Sequence, residues 1–244
     1  MRNRLLGTLC FLLAWQLIAM SGLVTNLILP SPIESFRALI ANLQTLLSDS
    51  AATLWRLAVG FSIGTSLGIL VGTTFGLNNR LHAFFELIID FFRSLPVITL
   101  FPLSMILFGL GDNSKMALTA WTVFLLTVVN TIYGIKQVPR IRILAARTLG
   151  ASGINLVWKV LIPSALPTIV AGLRLAVSLG LVVVLVTEMF TGTNLGLGKR
   201  IYEMGLIYEI PGMFAAIIVS GILGFALNKA IMIFERRIVH WSGQ

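Results

Sequence analysis

Charge is what this sequence has least of. Only 11% of its 244 residues are charged while 57% are hydrophobic, against about 25% charged in an ordinary soluble domain. Too few polar side chains remain to cover a water-facing surface, which excludes a conventional soluble fold and implies a polytopic membrane protein. There is a single cysteine, Cys10. It excludes a disulfide within the chain and any multi-cysteine metal site. The two histidines, His82 and His240, are far apart and have no second ligand pattern, which argues against a metal or histidine-based catalytic site. No convergent Ser/His/Asp, His-rich or Cys constellation supports an enzyme. The net charge of +9 would suggest nucleic acid in a soluble protein. Here the basic residues cluster between apolar runs, so membrane topology explains them and no nucleic-acid partner is expected.

What is abundant is apolar sequence of spanning length. A span needs about 20 mostly apolar residues, and six stretches meet or approach this: 5–29, 54–77, 91–110, 116–135, 166–190 and 211–234. The first, with Arg2 and Arg4 ahead of its apolar run, also fits a signal peptide, but the run continues to Leu29 and is read as a retained span. With the N-terminus in the cytoplasm, eleven Lys and Arg fall inside against five outside, as the positive-inside rule requires. Both termini carry Arg, so an even number of spans with both ends cytoplasmic is expected. Residues 80–90, with Glu86 and Asp90, are expected to lie at the interface before the third span. Residues 31–50 are too polar to span. Phe36, Leu39, Ile40, Leu43, Leu46 and Leu47 recur there at helical spacing, predicting an amphipathic helix on the outer face.

The second span carries Gly60, Gly64, Gly68, Gly72 and Gly76 at intervals of four. They form one helix stripe that permits close backbone approach to a neighbour. Pro96 and Pro102 interrupt the third span and free backbone carbonyls, which in a membrane must face protein or a water path. Phe101, Met105 and Phe108 are candidates to line the same route. Arg174 lies seven residues after Pro167, where it can attract an anion, snorkel to the interface or form a structural pair. Glu188, near the outer end of the fifth span, is a candidate gate or packing residue. The stretch TGTNLGLGKR ends in Gly198-Lys199, but Thr193 stands where a phosphate-binding loop needs its first Gly, and Arg200 replaces the hydroxyl residue. No nucleotide site is expected there.

One stretch stands apart. Residues 144–167, LAARTLGASGINLVWKVLIPSALP, are basic and punctuated by glycine. They cannot span, because Arg140, Arg142, Arg147 and Lys159 would need burial. The predicted form is a helix ending near Leu149, a turn over Gly150-Ala151-Ser152-Gly153, and a second short helix to Ile162 stopped by Pro163. Ala145, Ala146 and Gly150 are expected to leave room for a docking partner.

Here the residues resemble a family. Ala145-Ala146, then Gly150, then Val160, Ile162 and Pro163 follow the cytoplasmic loop signature of ABC importer permeases, although Leu144 stands where the family has Glu. LILPSPIE, TLWRLAVGFSIGTSLGILVG, FFRSLPVITLFPLSMILFGLGDNSK and GLRLAVSLGLVVVLVTEMF are similar to the nitrate/sulfonate/taurine branch. The resemblance implies an all-α membrane protein of the type I importer (MetI-like) fold with about six transmembrane helices. It implies an N-terminal part, 1–50, a transmembrane domain, 51–237, with its coupling loop at 136–165, and a cytoplasmic tail, 238–244. Ala145, Ala146, Arg147, Gly150, Ala151, Ser152 and Pro163 would couple to the ATPase. The candidate path or gate is Pro96, Phe101, Met105, Arg174 and Glu188. The implied partners are two ATPase subunits, a periplasmic or lipid-tethered binding protein, a second permease copy as a homodimer, and membrane lipid. ATP and Mg would sit on the ATPase and no cofactor on this chain. The implied function is passage of a small solute, an anion of that class, across a bacterial inner membrane. The alternative is a gradient-driven secondary transporter or channel, which places broken helices or charges at the midplane in paired repeats.

Overall fold

The computed structural model describes residues 2–22, 24, 25, 28–190 and 193–238. The tail expected over 238–244, and His240 with it, lies outside the described residues apart from the backbone of residue 238. Among the described residues the main helices are α1 (Arg2–Met20), α2 (Pro32–Ala41), α3 (Leu43–Leu77), α4 (Asn79–Ser94), α5 (Phe101–Phe108), α6 (Asp112–Lys136), α7 (Arg140–Thr148), α8 (Gly153–Phe190), α9 (Leu197–Leu206) and α10 (Ile210–Ile238). α3, α6, α8 and α10 are each long and apolar enough to cross a membrane.

Several boundaries differ from the expected ones. α1 stops at Met20 rather than Leu29, because Ser21 begins a bend in which Gly22 takes a positive φ of 72°. The amphipathic helix over 31–50 is divided. α2 is closed at Ser31 by a capping box, in which Glu34 N–H donates to the Ser31 hydroxyl and Ser31 N–H to the Glu34 carboxylate. It ends at Ala41, and residues 43–50 belong to the long helix α3. The interfacial helix predicted for 80–90 runs on to Ser94, and the chain then bends by 93° into Val97–Phe108. Pro96 explains the position of the break. It pushes Leu95 to extended backbone (φ −74°, ψ 130°) and offers no N–H to continue the ladder.

The contacts form two bodies. One comprises residues up to Leu54 with Leu185–Leu223, the other Trp55–Val184 with residues from Gly224 on. In the first, Leu46, Leu197, Ala215 and Ala216 make the buried core, and Trp15 packs on Phe214 with the rings tilted by 40° while its indole N–H donates to Pro30 O at 3.0 Å.

The second body is built on glycine. A Cβ placed on Gly60, Gly64, Gly68, Gly72 or Gly76 would strike Thr119, Val123, Thr127, Thr131 or Ile135 of α6 respectively. Both series advance by four in the same direction, so α3 and α6 pack in parallel along their i+4 ridges. Two successive long helices in parallel require the chain between them to return across the layer. The bent segment α4–α5 does so, which accounts for a crossing that length and hydropathy alone leave open. α8 then packs antiparallel on α6: Gly134 abuts Ala165, Gly172 abuts Asn130, and Gly180 meets Thr119 and Val123. Small residues at each crossing replace the side chains that would hold the helices apart.

Candidate functional site

The 140–161 loop is a folded object. α7 follows Pro139, which sits at its N-cap, and ends in a Schellman motif. Ala151 N–H donates to Ala146 O at 2.9 Å and Gly150 N–H to Arg147 O at 3.0 Å. Gly150 has φ +85°, and a Cβ there would meet nothing within 4 Å. Glycine is therefore required at 150 for the backbone turn and not for clearance within this chain. Val138, Ala146, Leu156 and Leu161 form a buried cluster with Ile143, Ala151, Val157 and Val160 packed on it. Ala146 thus faces the loop's own core, contrary to the expected open face of Ala145, Ala146 and Gly150. Ala145, Arg147, Gly150 and Ser152 are exposed, and Ala151 and Pro163 half-buried. The outward surface is instead apolar, with Ile141, Leu144, Leu149, Ile154 and Trp158 exposed and Leu149 88% so.

The second short helix does not stop at Pro163. It continues to Phe190 through a π-helical turn at Val157–Leu161, in which Ile162 N–H reaches Val157 O five residues back. The widened turn accommodates Pro163 beside it. Pro167 also lies within the helix rather than before it.

In the first body a polar network closes the start of α9. Glu188 is 1% exposed. Its carboxylate accepts from the Thr53 hydroxyl at 3.0 Å and from Gly198 N–H at 2.9 Å. Thr53 Oγ1 accepts from Leu197 N–H at 3.0 Å. Asp49, also 1% exposed, accepts from Gly196 N–H at 2.9 Å and from Arg200 Nε at 2.8 Å. Three consecutive amides of a helix N-terminus are thereby satisfied by two carboxylates and a hydroxyl, where the helix dipole favours negative charge. In TGTNLGLGKR the amides of Gly196, Leu197 and Gly198 are thus engaged by side chains. A Cβ on Gly198 would lie 1.9 Å from Leu185 O, so that position admits only glycine. Glu188 is buried within this network. Sequence reasoning misses Asp49 and Thr53, although their four-residue spacing puts them on one helix face, and it reads Arg200 only as breaking a phosphate-loop pattern.

In the second body Arg174 forms an ion pair with Glu235 of α10, the structural pair among its expected alternatives. Arg56, almost fully buried, donates to Asp112 at 2.8 Å. Lys115 is fully buried and donates to Gly111 O at 3.1 Å, fixing the α5–α6 turn. Phe101 is buried with Leu118 and Val183, and Met105 packs on that cluster. Pro96 is exposed at the bend, and Phe108 is exposed. The four candidate path residues of this body are therefore not brought together: two are in a packed cluster, one is at a bend and one is ion-paired.

Residues 64–240 match the family model described as "Binding-protein-dependent transport system inner membrane component". The chain belongs to this family. It is a multi-pass permease subunit of an ABC importer in the inner membrane, a transport subunit and not an enzyme, which works with an ATPase and a binding protein. The permease is 32% identical to the taurine transport system permease protein TauC of Escherichia coli (strain K12), over 98% of this chain and 90% of that one. It is 28% identical to the bicarbonate transport system permease protein CmpB of Synechococcus elongatus, over 96% and 88% respectively. Among solved structures it is similar to the MetNI methionine ABC transporter in an inward-facing conformation. The TM-score is 0.72 at 23% identity, covering 81% of this chain and 98% of that one. At that identity the likeness establishes the type I importer fold.

Proposed function

We propose that the permease works as a homodimer, with two ATPase subunits docked on its two 140–161 loops and a small anion as its cargo. The observation that carries the docking reading is the loop's construction. A private core of Val138, Ala146, Leu156 and Leu161 makes it rigid, while Ile141, Leu144, Leu149 and Trp158 are presented outward. Exposed apolar side chains on a rigid support are what a protein partner buries. Leu144, standing where the family has Glu, makes this surface more apolar. ATP and Mg belong to the ATPase, and its closure brings the paired loops together and reorients the spans. Both termini are cytoplasmic, which follows from the distribution of Lys and Arg. The anion reading is supported by the relatives named for taurine and bicarbonate, and the binding protein selects among such solutes.

The test is co-purification from detergent with the ATPase encoded beside it. Native chain retains the ATPase; Leu149→Asp and Ala145→Trp, both at exposed positions, reduce retention at least tenfold while leaving the chain monodisperse. A native chain that holds no ATPase, or a Leu149→Asp variant that holds it in full, overturns the docking reading.

A further inference from the structure

The face of α2 left open by the rest of the chain is apolar except at one position. Ile33, Phe36 and Ile40 are each more than half exposed. Arg37, also exposed, lies among them, because positions 33, 36, 37 and 40 share one side of a helix. Arg37 makes no hydrogen bond or ion pair among the described residues. The carboxylate one turn back, on Glu34, is already engaged: it accepts from the Ser31 amide at 2.8 Å and from the Ser31 hydroxyl at 2.9 Å. A helix with such a face lies in a membrane interface, where an arginine set among apolar side chains extends to the phosphate level.

Two grooves open beside this face, both within the first body. One, of about 490 Å³, lies between Leu12 and Trp15 of α1, Phe36 and Arg37 of α2, and Ile218 of α10. The other, of about 330 Å³, lies between Ala14 and Ile18 of α1, Leu29, and Phe214 of α10, and Trp15 lines it too. Each has the size of a ligand pocket, about 300–1,000 Å³. Trp15 is a fixed divider, since its indole N–H is bonded to Pro30 O and its ring packs on Phe214. Apart from Arg37, the two grooves are lined by uncharged side chains. A peptide would find few partners for its backbone along such walls. A second copy of this chain is a poor source of an anion, with 18 Lys and Arg against 9 Asp and Glu. Two apolar slots on either side of one divider, with a guanidinium in the wall of one, fit an amphiphile with two chains and one negative head. The planar guanidinium matches a phosphate in particular.

We propose that this crevice holds one diacyl phospholipid of net negative charge, with its phosphate on Arg37 and one acyl chain on each side of Trp15. A zwitterionic headgroup fits less well, because its own ammonium competes with Arg37 for the phosphate. The match to the family model begins at residue 64, so α1 and α2 lie outside it, and the lipid joins them to α10. The inference rests on the membrane family of the chain and not on ATPase docking, so the two fail separately.

The test is native mass spectrometry of the delipidated full chain, reading the last lipid retained and the oligomeric mass. Dioleoyl phosphatidylglycerol is expected to be retained at least tenfold better than dioleoyl phosphatidylcholine, and at least tenfold better than single-chain oleoyl lysophosphatidylglycerol. Arg37→Gln abolishes the headgroup preference and keeps the two-chain advantage. Ala14→Phe, at an exposed position, fills the second groove; it abolishes the two-chain advantage and keeps the headgroup preference. Arg80→Gln, in the other body, changes neither. Equal retention of the two headgroups, a preference that survives Arg37→Gln, or a two-chain advantage that survives Ala14→Phe overturns the proposal. So does a change of oligomeric mass in Ala14→Phe with lipid retention unaltered, which assigns the crevice to a second copy.

Discussion

Adding one methyl group at Gly64 tests the parallel α3–α6 seam most directly. In Gly64→Ala the new Cβ would lie 2.4 Å from Ala120 O, 2.8 Å from Val123 Cβ and 2.9 Å from Phe124 N. Two of these are backbone atoms of a hydrogen-bonded helix, so no rotamer change relieves them. Ordinary contact begins near 3.4 Å, so the helices must separate by about 1 Å. A gap of that size forfeits roughly a quarter to a half of each neighbouring van der Waals contact, and overpacking of this kind costs about 1–3 kcal/mol. Gly76→Ala meets only Ile135 side-chain atoms, from 3.0 Å upward, and is expected to cost less than about 1 kcal/mol because Ile135 can shift. Gly221→Ala on α10 meets nothing within 4 Å and is expected to be neutral or stabilising, since alanine is favoured over glycine in a helix. Thermal unfolding of the detergent-solubilised chain, followed by size-exclusion fluorescence, should rank Gly64→Ala lowest, Gly76→Ala next and Gly221→Ala at or above the native chain. If Gly64→Ala is as stable as Gly221→Ala, the seam is not packed as described and the topology drawn from it fails.

Glu188→Ala leaves the Gly198 amide without its acceptor in a buried site, a loss of about 1–3 kcal/mol, whereas Glu188→Gln keeps one acceptor oxygen and should lose less; comparing the two by thermal unfolding separates packing from charge. Arg174→Ala strands Glu235 and should lower stability by about 1–2 kcal/mol, discounted from the buried-pair range because Arg174 is partly exposed, and uptake in proteoliposomes should fall more than in Arg142→Ala. The Ser31 amide and hydroxyl, with Arg37 behind them, hold the Glu34 carboxyl below its ordinary value. A depressed carboxylate stabilises above the unfolded pKa, about 4.3, and that contribution is lost as pH falls through the folded value. Amide protection of α2 should therefore be level above about pH 5 and decline below it, and Glu34→Gln should remove the dependence.

Four of the six expected spans were legible because twenty apolar residues in a chain with few charges have one economical place to go, whereas 5–29 ends at Met20 as a shorter apolar helix and 91–110 belongs to a segment bent by 93° at Pro96. The glycine stripe was legible because a period of four has one geometric meaning on a helix. What the sequence hid were events decided by a neighbour. That Ala146 faces inward depends on Leu156 and Leu161 closing over it from the next helix. That Pro163 does not end a helix depends on a π-turn just before it, and no residue type announces such a turn. Glu188 could be suspected from its cost in a membrane, but its partners Thr53 and Gly198 stand 135 and 10 residues away. The same reasoning explains the difference between the two candidate sites. The docking loop is local, so its spacing in sequence was enough to find it. The candidate path residues are isolated prolines, aromatics and charges in the sequence. Those of the second body do not converge, because Phe101 and Met105 are held in one packed cluster and Arg174 in an ion pair. Sequence spacing finds sites carried by one element, and packing is needed for sites assembled from two.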